Sequence, residues 1–140
     1  MNKEITSSLQ AFNILQNHFN PFAEEVWAIA LNPQLQVLGT AMIFRGTADQ
    51  CQIHPRDIFR FLIEKNASSF ILAHNHPSHE VQPSDRDITL TRKIQQSGVL
   101  MQIPLQDHVI FSEEKYFSMA DHGFFSKGRR LNKFAILTKL

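Results

Sequence analysis

The sequence predicts an α/β domain, and three observations carry that reading. The chain has 140 residues, 43% of them apolar and 19% charged, which suits one compact domain with a sizeable core. Apolar runs of strand length, bounded by turn-forming residues, lie at 25–31, 35–44, 70–73 and 107–111. Between them, stretches with helical spacing of apolar side chains begin near Ser7, His54 and Ser84.

The elements follow in order. Residues 7–18 place Leu9, Phe12, Ile14 and Leu15 at near-helical spacing, and Asn20-Pro21 closes the stretch, so residues 1–20 are expected to hold a short amphipathic helix. Residues 25–31 and 35–44 flank the turn Asn32-Pro33-Gln34 and read as a β-hairpin. His54-Pro55 opens the next helix, with proline in the first turn and Ile58, Phe61 and Leu62 as its apolar stripe. His54 itself reads as a structural histidine, with an approach to a site as the alternative. Asn66-Ala67-Ser68 then leads into the apolar run that ends at His74. Residues 84–97 read as a helix with Ile88 and Ile94 facing inward and Gly98 as its stop. A strand at 107–111 turns through Ser112-Glu113-Glu114 into 115–118, and residues 21–120 form the expected domain body. Further on, Leu131, Phe134, Ile136 and Leu137 hint at one more packed element.

Composition excludes several classes. No run approaches the roughly 20 apolar residues of a membrane span, and no basic segment followed by an apolar core opens the sequence, so a signal peptide and a membrane partner are not expected. The single cysteine, Cys51, cannot form an internal disulfide and reads as a small buried thiol, which fits a reducing cytoplasm. Residues 121–140 hold Lys127, Arg129, Arg130, Lys133 and Lys139 against Asp121 alone. This basic tail could make weak nucleic-acid contacts, although a charged run is more often solvated surface.

Chemistry concentrates at His74-Asn75-His76-Pro77 and Pro83-Ser84-Asp85-Arg86-Asp87. In a strand, side chains at i and i+2 share a face, so His74 and His76 project together. Asp87 falls in the first turn of the following helix. Two histidines and one carboxylate would leave the fourth position of a tetrahedral zinc open for water. Each part has a plainer explanation: a hydrogen-bonded histidine at a strand end, and a Ser84-x-x-Asp87 helix cap. Their coincidence within one short segment favours the metal.

These residues resemble the JAMM (MPN/JAB) metallopeptidase motif, in its RadC-like branch. The resemblance rests on Phe44-Arg45-Gly46-Thr47, His54-Pro55-Arg56, Leu72-Ala73-His74-Asn75-His76-Pro77-Ser78, Pro83-Ser84, Asp87-Ile88, Thr91-Arg92 and Asp107-His108-Val109-Ile110, with Glu25-Val26 upstream. It implies a single domain with a mixed sheet and helices packed around it, of cytidine-deaminase-like architecture. It also implies Zn2+ held by His74, His76 and Asp87, and hydrolysis of a peptide or isopeptide bond by a zinc-activated water. The family's acidic residue stands directly before valine, which selects Glu25 as general base with Glu24 as its competitor. Ser84 matches the serine that stabilises the oxyanion. Asp107 is the expected support for a metal-bound imidazole.

Two features depart from that branch. The larger helical region resembling a helix-hairpin-helix, which precedes the metal domain in RadC-like proteins, does not fit in the first twenty-odd residues. Where members usually carry glycine after His-Pro-Ser, this chain has His79, which reads as a solvent-facing loop residue or as a spare ligand. The second function class is a non-catalytic zinc-containing module associated with DNA processing or repair. A zinc nucleobase deaminase is excluded, because the chain has neither a His-x-Glu nor a Pro-Cys-x-x-Cys.

Overall fold

Strands whose residues are apolar on both faces need cover on both sides, and two segments here meet that description. They are β1 (Glu24–Leu31) and β3 (Ser69–Asn75), two of the three inner strands of a five-stranded sheet in a computed structural model that describes residues 4–46 and 53–125. β2 (Val37–Gly46), β4 (Leu105–Phe111) and β5 (Tyr116–Ser118) complete it in the order β2-β1-β3-β4-β5. β1 pairs antiparallel with both β2 and β3, β3 and β4 are parallel, and β5 is antiparallel to β4. The expected mixed sheet with surrounding helices is therefore what the chain forms. Cys51, the cationic residues of the tail and the apolar residues 131–137 lie outside the described residues.

Helices cover both faces. On one, α2 (Pro55–Glu64) and α3 (Asp85–Met101) bury Ile58, Phe59, Leu62 and Ile94 against Val26, Phe70, Leu72 and Ile110. Phe59, rather than the expected Phe61, is the aromatic buried deepest on α2, and it meets Phe70 edge-on at 5.5 Å. On the other, α1 (Ser8–Leu15) packs Ala11, Phe12 and Leu15 onto Ile29, Ile71, Val109 and Phe111. Ser7 caps α1 by accepting from the Gln10 amide. The hairpin turn is shaped by Asn32, whose Oδ1 accepts from the amides of Gln34 and Gln36 at 2.9 Å each, so β2 starts at Val37 rather than at Leu35.

Gly98 does not stop α3. The helix runs through it to Met101 and ends on Gln102 in the left-handed region at φ 60°. Asp87, Thr91, Ile94 and Gly98, spaced by four, three and four, form its buried line. Glycine is required there by a close approach: a methyl at position 98 would fall 2.7 Å from the carbonyl oxygen of Ile103, whose own amide donates to Gly98 at 2.9 Å. Helix propensity alone would make Gly98→Ala stabilising by about 1 kcal/mol. The backbone contact reverses the sign, and a net loss of about 1–3 kcal/mol is expected. Chemical denaturation of the two proteins checks this, and a stabilised variant would refute the contact.

Candidate metal centre

The register of the inner strands decides which side chains meet. Val26 lies opposite His74 in the β1–β3 ladder, and alternation along each strand then puts Glu24 and Val26 on the face of Phe70, Leu72 and His74. Glu24 Oε2 sits 2.8 Å from His74 Nε2. Glu25, the expected base, points to the opposite face. There its Oε2 takes the Arg45 guanidinium at 2.6 and 2.9 Å, and its Oε1 accepts from Trp27 Nε1 at 2.9 Å and the Asn20 amide at 3.2 Å. The structure thus corrects the sequence expectation: Glu24 is the glutamate at the histidines, and Glu25 is bound into the sheet and the loop before it.

His76 lies just past β3, with its amide donating to Phe111 O at 2.9 Å and its Nδ1–H donating to the Glu80 carbonyl at 2.7 Å. This leaves Nε2 facing the site. Asp87 comes from the start of α3, where a capping box holds it. Its amide donates to Ser84 Oγ at 3.1 Å, and its Oδ2 accepts from the Ser84 amide at 2.8 Å. The same carboxylate reaches His74 Nδ1 at 3.0 Å and His76 Nε2 at 3.3 Å. The helix cap formed by Ser84 and Asp87 and the approach of Asp87 to both histidines therefore coexist in one geometry.

Charge follows from this packing. Burial opposes a cationic His74, but hydrogen bonds to Asp87 and then Glu24 outweigh it and push the imidazole up to about 9. Burial would raise the Asp87 carboxyl, yet its bonds to His74, His76 and the Ser84 amide hold it well below the usual carboxylate range. The hydrogen bond to His74 likewise lowers Glu24. A buried proton on His74 is thus clamped between two carboxylates.

Two further residues, His108 and Thr91, brace the site; both stand in the words that carry the family resemblance, which do not say what either side chain touches. His108, on β4 opposite Leu72, lies nearly parallel to the His74 ring at 6.3 Å. Complete burial, and secondarily the charge on His74, push it down to about 3, so it is neutral. Its Nδ1–H donates to Thr91 Oγ1 at 2.5 Å, and that hydroxyl donates to the Asp87 carbonyl at 2.6 Å, tying β4 to the turn that carries Asp87. Asp107, expected to support an imidazole, instead accepts from Ser118 Oγ at 2.6 Å and the Ala120 amide at 2.9 Å, and burial raises it to about 6. Neighbours in a strand face opposite ways, and His108 is the one on the site's side.

The cluster opens into a cleft of about 910 Å³ walled by Glu24, His74, His76, Ser84, His54 and Lys93 among others. Ser84 Oγ is used by Asp87 as an acceptor, so its hydroxyl hydrogen is left for the cleft. His54 stands on the wall and makes no capping hydrogen bond to α2. His79 is an exposed turn residue off the cleft wall, at φ 69°. That left-handed backbone favours glycine and supplies the physical reason for the glycine expected there by resemblance. One donor atom each from Glu24, His74 and His76 lie within 4.8 Å of one another. Glu24 Oε1 is buried with no partner among the described residues. An orphaned carboxylate oxygen beside two imidazoles fits a bound cation, and nitrogen and oxygen donors of this kind suit zinc.

Comparison with known proteins gives the family. A UPF0758 protein of Thermotoga maritima is 38% identical over 121 residues, which are 86% of this chain and 54% of that protein. UPF0758 proteins of Flavobacterium johnsoniae and Chlorobaculum parvum are each 37% identical, over 88% and 87% of this chain and 54% and 55% of their own lengths. The chain spans about half the length of these curated relatives. The family model described as "RadC-like JAB domain" matches residues 5–124. Matched from the segment before its first helix to the turn beyond its last strand, the chain belongs to the RadC-like JAB domain family.

Proposed function

We propose that this domain is a zinc-dependent hydrolase of amide bonds, acting on a peptide or isopeptide linkage in a protein substrate. The observation that carries the reading is Glu24, a residue of the cleft wall: one carboxylate oxygen is bonded to His74 and the other is buried with no partner among the described residues. His74, His76 and Asp87 would hold the metal. When bound, the metal supplies Lewis acidity, lowering the pKa of water and polarising a carbonyl.

The remaining chemistry belongs to the chain. Glu24 accepts a proton at Oε1 from the attacking water and delivers it to the leaving amine, a transfer worth roughly 10²–10⁴ in rate when the base is positioned. Ser84 lies on the same wall with a free hydroxyl hydrogen, which donates to the oxygen that gains charge as the carbonyl becomes tetrahedral. The capping box fixes that hydroxyl by occupying its acceptor side. Asp87 holds His74 and His76 in one orientation, and Glu80 fixes the tautomer of His76 through its carbonyl.

Two experiments test the assignment. Glu24→Gln should retain zinc at stoichiometric level by elemental analysis while losing hydrolysis of isopeptide-linked and linear substrates by about 10²-fold or more. Glu25→Gln should retain zinc and activity but weaken the fold by about 1–3 kcal/mol, because it disturbs hydrogen bonds to a buried charge. The opposite pattern would return the base to Glu25, and zinc absent from both variants and wild type would refute the metal.

The second experiment uses pH. Because His74 is raised from its ordinary 6.5 to about 9, the folded metal-free protein holds that proton more tightly than the unfolded chain. This contribution is fully present below pH 6.5 and is lost as pH rises through about 9. The melting temperature of metal-free protein should fall across that window. Zinc must displace the same proton, so its affinity should climb by up to about tenfold per pH unit there. A chelator competition series reads it, and a flat affinity would show that His74 is not a ligand.

A further inference from the structure

Asn75 stands between the two histidines, at the end of a strand whose other buried positions are mostly apolar. It is fully buried, and its side chain lies on the face opposite His74. Its Nδ2 donates to the carbonyl of Ala23 at 2.5 Å and to the carbonyl of Asn20 at 3.1 Å. Both partners are acceptors, so the amide nitrogen must face them. Its Oδ1 has no partner among the described residues, so the side chain serves here through its donor alone.

The Ala23 carbonyl belongs to the peptide unit that enters Glu24. We propose that Asn75 is a positioning residue for Glu24, locking the backbone from which that carboxylate reaches His74. This rests on the assignment of Glu24 to the metal centre. The Asn20 carbonyl also accepts from the Ala23 amide at 3.2 Å, and the Asn20 amide donates to Glu25 at 3.2 Å. One amide group therefore gathers the loop before β1, and one strand end carries both imidazoles and the donor that sets the opposing glutamate. No alternative anchor for the Ala23 carbonyl is present among the described hydrogen bonds.

A double-mutant cycle on cobalt(II) affinity tests the inference without any substrate. Removing a negative charge beside a dication weakens binding, so Glu24→Gln should raise the cobalt dissociation constant by about tenfold. Asn75→Ala should raise it by a similar factor with the secondary structure preserved by circular dichroism, and should shift the visible cobalt bands in the same sense as Glu24→Gln. The double variant should be no weaker than about tenfold, because the two residues act through one carboxylate. A product near a hundredfold, or wild-type affinity for Asn75→Ala, would overturn the positioning role and leave Glu24 in place. Failure of wild type to bind cobalt, or no change in Glu24→Gln, would instead overturn the reading of the centre itself. Should Asn75→Ala fail to fold, Asn75→Ser, whose single hydroxyl can serve only one carbonyl, enters the same cycle under the same criteria.

Discussion

A buried imidazole held between two carboxylates is the constraint on which the rest of this domain depends. His74 touches Glu24 from β1 and Asp87 from α3, and it is only 4% exposed. Leaving any one of the three charges buried without its partners would cost several kcal/mol, so the strand pairing and the docking of α3 are coupled to one another through this contact. A one-residue slip of β1 against β3 would send Glu24 to the α1 face and bring Glu25 under α3. Glu25 has its own reason not to slip, since Arg45 of β2 and Trp27 hold it on the far face. Two adjacent glutamates thus fix the register from opposite sides of one strand.

The start of α3 shows how a structural device and a chemical one share atoms. A capping box satisfies orphan amides at a helix N-terminus, and here its acidic member also faces the histidines. The backbone is thereby held by the same carboxylate that meets His74 and His76, and the His108–Thr91–Asp87 chain braces it from within the core. Rigidity of this kind keeps the His74, His76 and Asp87 side chains aligned with one another. It also explains why α3 continues past Gly98: the buried line from Asp87 to Gly98 needs the full helix to lie on the sheet, and glycine is what lets the Ile103 backbone pass beneath it.

Much of this was legible in the sequence, and the limits have physical causes. The strands, the three helices and the cluster of His74, His76 and Asp87 announce themselves through period, turn chemistry and spacing. The choice between Glu24 and Glu25 does not, because β1 is buried on nearly every residue and shows no alternation of polar and apolar positions to mark its faces. Only the pairing of Val26 with His74 settles it, and pairing is a long-range fact. Asp107 and His108 pose the same problem on β4, where the plausible acid faces away and the neutral histidine faces in. Gly98 misleads for a different reason, since a glycine that admits a neighbouring backbone looks in sequence like one that ends a helix.

His79 shows how resemblance and physics divide the work. A family glycine at that place suggests a backbone requirement, and the left-handed φ of 69° is that requirement. The chain meets it with a residue that carries an imidazole, yet the turn directs that position to solvent and away from the cleft wall. A histidine three residues beyond His76, one hydrogen-bonded turn away, is not thereby a ligand, because what makes a ligand is the direction its backbone gives it. The same principle separates Glu24 from Glu25, two side chains of equal chemistry, and puts His108 rather than its strand neighbour Asp107 on the side of the centre.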